Sequence, residues 1–175
     1  MSYQKPSSIL ALGNTHWNNW RREFPDVQAF EPDLHAVDLH HAHLPGIDFH
    51  EADLTEADLQ YADLRGADLR TADLRHANLR GADLSDAQLQ NAHLHAADLR
   101  DAKLCRANLQ RADLSNADMR GTDLSGANLE KAKIDLSQFA EADLPAKDPG
   151  AEDLAKHLEA QKQKLASTPL QRGAA

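Results

Sequence analysis

Residues 62–81 read ADLRG-ADLRT-ADLRH-ANLRG, from Ala62 to Gly81, and this stretch decides the fold. The pattern runs outward in both directions with almost no drift. From Leu34 every fifth residue is large and apolar: Leu39, Leu44, Phe49, Leu54, Leu59 and Leu64, and on through Met119, Leu124, Leu129, Ile134, Phe139 and Leu144. Two residues before each of these, eighteen of twenty-three positions are Ala, the exceptions being Pro32, Val37, Ile47, Thr122 and Ser137. The residue just before the large one is usually Asp or Asn, as at Asp53, Asp58, Asp63, Asp68, Asp73 and Asn78. A period of five fits neither a helix nor a strand. A fixed short repeat marks a solenoid, in which each unit forms one short side of a coil and then turns the corner. Within Ala62-Asp63-Leu64-Arg65-Gly66 the Ala and the Leu point inward and the other three residues face water. The geometry is strand-like for about three residues and is then broken by a turn.

A solenoid exposes a sheet edge and raw core at both ends, so both need caps. The segment 1–31 suits that role. Asn14 or Thr15 can cap a short helix ending before Pro25, with Trp17, Trp20 and Phe24 along one face. Both tryptophans of the chain lie here. At the other end Pro145 and Pro149 stop the repeat, and Gly150 opens a helical stretch to about Ser167. Leu154, Leu158 and Leu165 form its apolar stripe, which either folds back as a cap or pairs with a second copy. The sequence thus divides into an N-terminal helical cap (1–31), a repeat domain (32–146) and a C-terminal helix with a loose tail (147–175).

The net charge of −9 sits on the repeats. Residues 33–63 hold eight acids (Asp33, Asp38, Asp48, Glu51, Asp53, Glu56, Asp58, Asp63) and no Lys or Arg. A belt at 64–111 holds eight bases against six acids, and 112–146 returns to seven acids against three bases. Much of this acidity belongs to the repeat itself, through the residue before each Leu.

No catalytic apparatus is written here. Phosphate loops, HExxH and G-x-S-x-G are absent, and repeated Asp on a solvated lattice gives no split pair of carboxylate pKa values. The sequence therefore predicts no enzyme, no cofactor and no metal centre. Of the ten histidines, His35, His40, His43 and His50 disperse over four sides of a square coil. Only His41 and His43 straddle a corner closely enough to share an ion, and two imidazoles fall short of a zinc set. His93 and His95 flank Leu94, with His76 one coil below. The lone Cys105 follows a central Leu and is expected to face solvent, with no disulfide partner. The net charge argues against direct nucleic-acid binding. Ile9-Leu10-Ala11-Leu12 is too short for the core of a signal peptide, and no segment approaches a membrane span, so the expectation is a cytoplasmic protein.

The run from Ala62 to Gly81 resembles the pentapeptide-repeat proteins, whose motif is A(D/N)LXX, and the resemblance covers roughly residues 32–146. Trp17 to Arg21 (WNNWR) and Pro32-Asp33-Leu34 also resemble lead-ins in some members. The resemblance implies an all-β solenoid: a right-handed quadrilateral β-helix with four repeats to a coil, here five to six coils standing roughly 25–30 Å tall. Stepping by twenty residues then sorts the surface into faces. The face through Leu34, Leu54, Leu74, Leu94, Leu114 and Ile134 is the most acidic, carrying Asp33, Asp53, Glu56, Asp73, Asp113 and Asp135. Its neighbour, through Leu39, Leu59, Leu79, Leu99 and Met119, stacks Arg80, Arg100 and Arg120, with Asp98, Asp101 and Asp118 near enough to compensate.

The expected function is that of a non-catalytic scaffold presenting a rigid charged surface to another macromolecule. The candidate contacts are Asp33, Asp53, Glu56 and Asp73 on one face and Arg80, Arg100 and Arg120 on the next. The resemblance adds an alternative: family members act as DNA mimics that bind type II topoisomerases, so DNA gyrase or topoisomerase IV is a candidate partner. It also makes a homodimer through the C-terminal helix an expectation.

Overall fold

The structure is a computed structural model that describes residues 5–23 and 32–134. Two helices, α1 (Pro6–Leu10) and α2 (Asn14–Glu23), precede the repeats. The expected C-terminal helix with Leu154, Leu158 and Leu165, and with it the dimer contact, lies outside the described residues, as do Phe24 and Asp135.

From Pro32 to Ile134 the chain winds with a repeat of twenty residues. Parallel bridges join Asp33 to Asp53, Asp53 to Asp73, Asp73 to His93, His93 to Asp113 and Asp113 to Lys133, and the other three sides follow the same step. Each side is a ladder three residues wide. The Leu54 N–H donates to the Asp73 carbonyl (2.8 Å), while the Asp53 N–H donates down to the Pro32 carbonyl (3.0 Å). No side grows into a longer strand because each is ended by a turn, closed by bonds such as Ala57 N–H to the Leu54 carbonyl at 3.1 Å.

Every turn puts its third residue in the left-handed region. From Ala36 to Lys131 that position has φ between 52° and 71°, and only a minority of its occupants are Gly. This is the pattern of a type II turn, which calls for a positive φ there. Left-handed backbone costs an L-residue roughly 1–2 kcal/mol, so each corner carries a small strain that the stacked ladder holds in place.

The interior follows from the repeat. Leu54 through Leu114 and the alanines between them are wholly buried, Phe49 and Met119 fill two central positions, and Ala leaves just enough room beside them. Among the described residues the burial weakens at the ends, at Val37, Leu39 and Ala42 in the first coil and Leu124, Leu129 and Ile134 in the last.

Helix α2 meets the first coil along Leu44–His50, and does so through hydrogen bonds as much as through packing. Asn14 Nδ2 donates to the Pro45 carbonyl (2.6 Å), Trp17 Nε1 to the Asp48 carbonyl (2.6 Å) and Asn18 Nδ2 to the Gly46 carbonyl (2.9 Å). Asn18 Oδ1 accepts the Asp48 N–H at 2.9 Å, and Arg21 Nη2 donates to the His50 carbonyl at 2.5 Å. Side chains of one helix thus satisfy the backbone edge that a preceding coil would have paired. Trp17 is fully buried and packs edge-on against Phe49, with ring centroids 5.5 Å apart.

Candidate interaction surface

The residue before each Leu has a structural task. Every Asp or Asn at this position among residues 33–128 accepts, through Oδ1, the backbone N–H two residues on: His35 to Asp33 at 3.1 Å, Thr55 to Asp53 at 3.0 Å, Gln110 to Asn108 at 3.2 Å, Glu130 to Asn128 at 3.1 Å. These are Asx turns at the mouth of each corner. Among residues 33–133 the repeat departs from Asp/Asn at His43, Gln88, His93, Lys103 and Lys133; at His43 the residue two further on is Pro45, which has no N–H to satisfy.

Many of the same carboxylates also carry a cation. Arg65, Arg70 and Arg75 each fold back in two-pronged contact onto Asp63, Asp68 and Asp73, with closest distances of 2.7, 2.6 and 2.6 Å. Hydrogen bonds from Arg65 hold the Asp63 carboxyl down at about 2. At Asp113 partial burial works in the other direction, but Ser115 Oγ, Lys133 Nζ and the Ser115 N–H together hold it at about 2.

The expected arginine column exists and is internally neutralised. Arg100 grips Asp98 (2.6 Å) and leans on Asp118 of the next coil (3.6 Å), Arg120 grips Asp118 (2.6 Å), and Arg80 Nε lies 3.5 Å from Asp101. Asp73 on the acidic face is likewise engaged with Arg75. Asp33, Asp53 and Glu56 differ: among the described residues none of them shares an ion pair with a Lys or Arg. Asp33 and Glu56 are exposed, and Asp53 is half-buried and receives only the Thr55 N–H and hydroxyl (2.6 Å). At the corner that ends the neighbouring face, His41 stacks on the exposed ring of Tyr61, centroids 5.1 Å apart.

The histidines fall into a different grouping from the one expected. Sequence reasoning paired His41 with His43 across a corner. The structure instead brings Asp38, His40 and Asp58 together, and Asp48, His50 and Asp68, each set with its ligand atoms within 4.8 Å. The sequence carries the signal as Asp-x-His with a second Asp twenty residues after the first, a mixed-ligand pattern that the spacing of imidazoles alone does not show. His76 and His95 do meet, with ring centroids 6.1 Å apart. Cys105 is half-buried rather than open to solvent; its thiol donates to Asp123 (3.0 Å), and burial together with that carboxylate pushes it up. A shallow polar groove of about 260 Å³ runs along Gln90, Asn91, Gln110, Arg111, Glu130 and Lys131. No nucleophile with an adjacent base lines it. No described helix is long and apolar enough to cross a membrane.

A coil of four five-residue sides, closed by left-handed corners and stacked at a step of twenty residues, defines a four-sided β-solenoid. The family profile for pentapeptide repeats matches residues 33–70, 71–104 and 107–144, and the chain belongs to the pentapeptide-repeat family, whose members form right-handed quadrilateral β-helices and are generally non-catalytic scaffolds. Among solved structures it is similar to the pentapeptide repeat protein Rfr23 from the cyanobacterium Cyanothece 51142: 33% identity over 67% of this chain and 89% of that one, TM-score 0.57. A pentapeptide repeat protein of the Arabidopsis thaliana thylakoid lumen is 31% identical over 61% of this chain and 70% of its own, TM-score 0.46. QnrB1, a plasmid-mediated fluoroquinolone resistance protein, is 20% identical over 73% and 83%, with a TM-score of 0.29. Among curated proteins none matches.

Proposed function

We propose that this protein is a rigid docking scaffold, five to six coils tall and capped at its N-terminal end by α2, whose contact surface for another macromolecule is the acidic end of its first face. The observation that carries this reading is the division among its carboxylates. Asp63, Asp68, Asp73, Asp98 and Asp118 are taken up by the protein's own arginines, whereas Asp33, Asp53 and Glu56 present charge without an ion-pair partner among the described residues. The arginines at 80, 100 and 120 lie on the neighbouring face and set its border rather than its sign. A partner with a cationic surface fits, and its association is steered by charge and weakened by salt. The reading places the protein in the cytoplasm. Capture of interacting proteins by the immobilised full chain, at low and at high ionic strength, tests it: a partner that is held at low salt and released at high salt supports the reading, and salt-insensitive capture opposes it.

A second reading follows from the run of eight acids without Lys or Arg at 33–63. An acidic rod of this kind can stand in for duplex DNA on a type II topoisomerase such as DNA gyrase or topoisomerase IV. Titration of the purified protein into gyrase supercoiling and quinolone-induced cleavage assays decides it: inhibition or relief supports mimicry, and no effect at any dose removes it.

A further inference from the structure

On this solenoid an aspartate often sits directly above another, one coil apart, and between them the structure repeatedly places a cation. Between Asp98 and Asp118 it is Arg100, from the position two after Asp98 (2.6 and 3.6 Å). Between Asp48 and Asp68 the equivalent position is His50, and the cation comes from elsewhere. Arg21 of α2, with a side chain only 1% exposed, brings Nη2 to 2.8 Å from His50 Nδ1 and Nε to 3.8 Å from Asp48 Oδ1. The guanidinium thus engages the imidazole and one carboxylate of a two-carboxylate, one-imidazole constellation, whose second carboxylate, Asp68, is held by Arg70 (2.6 Å).

The same constellation recurs on the second face at Asp38, His40 and Asp58. The bridge from Asp38 to Asp58 puts the two carboxylates one above the other. His40 Nδ1 lies 2.5 Å from Asp38 Oδ1. Asp58 is oriented from outside the cluster by Gln60, whose backbone N–H (3.1 Å) and Nε2 (3.1 and 3.2 Å) fix its carboxylate. Helix α2 contacts the 45–50 side of the coil, and none of its arginines forms an ion pair with Asp38 or Asp58. At the corresponding site His35 turns to Thr55 Oγ1 instead (2.8 Å), so the triad is not a general consequence of the repeat.

We propose that Asp38, His40 and Asp58 bind a divalent transition-metal ion, with Zn²⁺ as the best match, which clips the first coil to the second on the face that α2 does not reach. The donor set selects the metal class. An imidazole disfavours Mg²⁺ and Ca²⁺, two carboxylates without thiolate suit a borderline cation, and three protein ligands leave coordination positions for water. The metal takes the place of the proton held between His40 Nδ1 and Asp38 Oδ1, so binding releases that proton. The neutral ring then keeps its hydrogen on Nε2. Second-sphere support of the kind Gln60 gives Asp58 holds a ligating carboxylate in place.

Calorimetric titration of the full chain with ZnCl₂, alongside thermal melts with and without Zn²⁺, tests this. The expected result is one Zn²⁺ site that raises the melting temperature in the wild type. His40→Ala abolishes both effects, Asp58→Asn weakens binding at least tenfold, and His95→Ala leaves it unchanged. All three positions lie on the surface, so circular dichroism verifies that each variant folds. Ring ¹⁵N spectra give an independent readout, a Zn²⁺-dependent shift at His40 Nδ1. No Zn²⁺ uptake by the wild type, equal uptake by His40→Ala, or an equal thermal shift with Mg²⁺ overturns the proposal.

Discussion

A single aspartate in this chain does two separable things: its Oδ1 closes a corner and its charge faces water. Asp53 accepts both the N–H and the hydroxyl of Thr55. Asp53→Ala loses both bonds and is expected to cost about 1–2 kcal/mol. Asp53→Asn keeps the acceptor and is expected to cost far less while removing the charge. Thermal melts of the two variants check the difference, and equal losses would show that charge rather than geometry matters here. A corner at the end of the neighbouring face gives a second residue-scale prediction. Gly81 has φ of +66°, and a Cβ there would come within 2.5 Å of the Tyr61 ring. Gly81→Ala therefore meets both backbone strain and a collision. Tyr61→Ala should recover part of the lost stability, leaving the left-handed penalty of roughly 1–2 kcal/mol; a double-mutant cycle by denaturant melts measures that coupling.

Helix α2 shows how a polar sequence terminates a sheet. Asn18 supplies an acceptor to the Asp48 N–H, the group that a preceding coil would have engaged, and a donor to the Gly46 carbonyl at the corner before it. Asn18→Leu keeps the bulk and deletes both bonds, so it is expected to destabilise the protein by about 1–3 kcal/mol and to raise hydrogen exchange at the Asp48 amide first. The helix itself was legible in the sequence, from Trp17 and Trp20 on one face, but its expected cap was not: Asn14 and Thr15 lie inside the first turn, Gly13 precedes it, and the Asn14 side chain turns to the Pro45 carbonyl instead. Its hydrogen bonding was not legible either, because the partners of Asn18 and Arg21 lie about thirty residues away. The repeat was far more legible. The core positions follow from Ala and Leu alone, since a narrow bore admits little else, and the twenty-residue step is what the family resemblance implies. The charge pairing was harder to read because it depends on rotamers. Arg100 could equally have pointed outward, and only in three dimensions does it settle between Asp98 and Asp118. The Asp38–His40–Asp58 set needed the coil step applied to mixed ligands rather than to histidines.

At the scale of the whole molecule each coil buries its apolar row only against the coils above and below, so damage in the middle interrupts the stack. Leu84 and Ala87 are both fully buried. Leu84→Arg places an unpaired charge in the bore and Ala87→Phe overpacks it, and both are expected to collapse the fold. Arg80→Ala, on the surface, is expected to leave it intact. Midpoints of thermal unfolding compare the three. Acid should weaken the whole solenoid as well. The ladder carboxylates, Asp63 and Asp113 at about 2 and Asp68, Asp73, Asp98, Asp118 and Asp123 lowered in the same direction, titrate below their unfolded values. Their stabilisation is complete above the ordinary carboxylate range and is lost as pH falls towards about 2. A melting temperature that declines steadily from about pH 5 to pH 2 is the expected result.

The functional reading rests on the division between carboxylates engaged by the fold and carboxylates left to a partner. Its most direct test is quantitative capture by the wild type and by the triple variant Asp33→Asn, Asp53→Asn, Glu56→Gln, which keeps every corner acceptor and removes three charges. The account predicts an unchanged melting temperature together with loss of the salt-sensitive partner. Retention of that partner by the folded triple variant would contradict it.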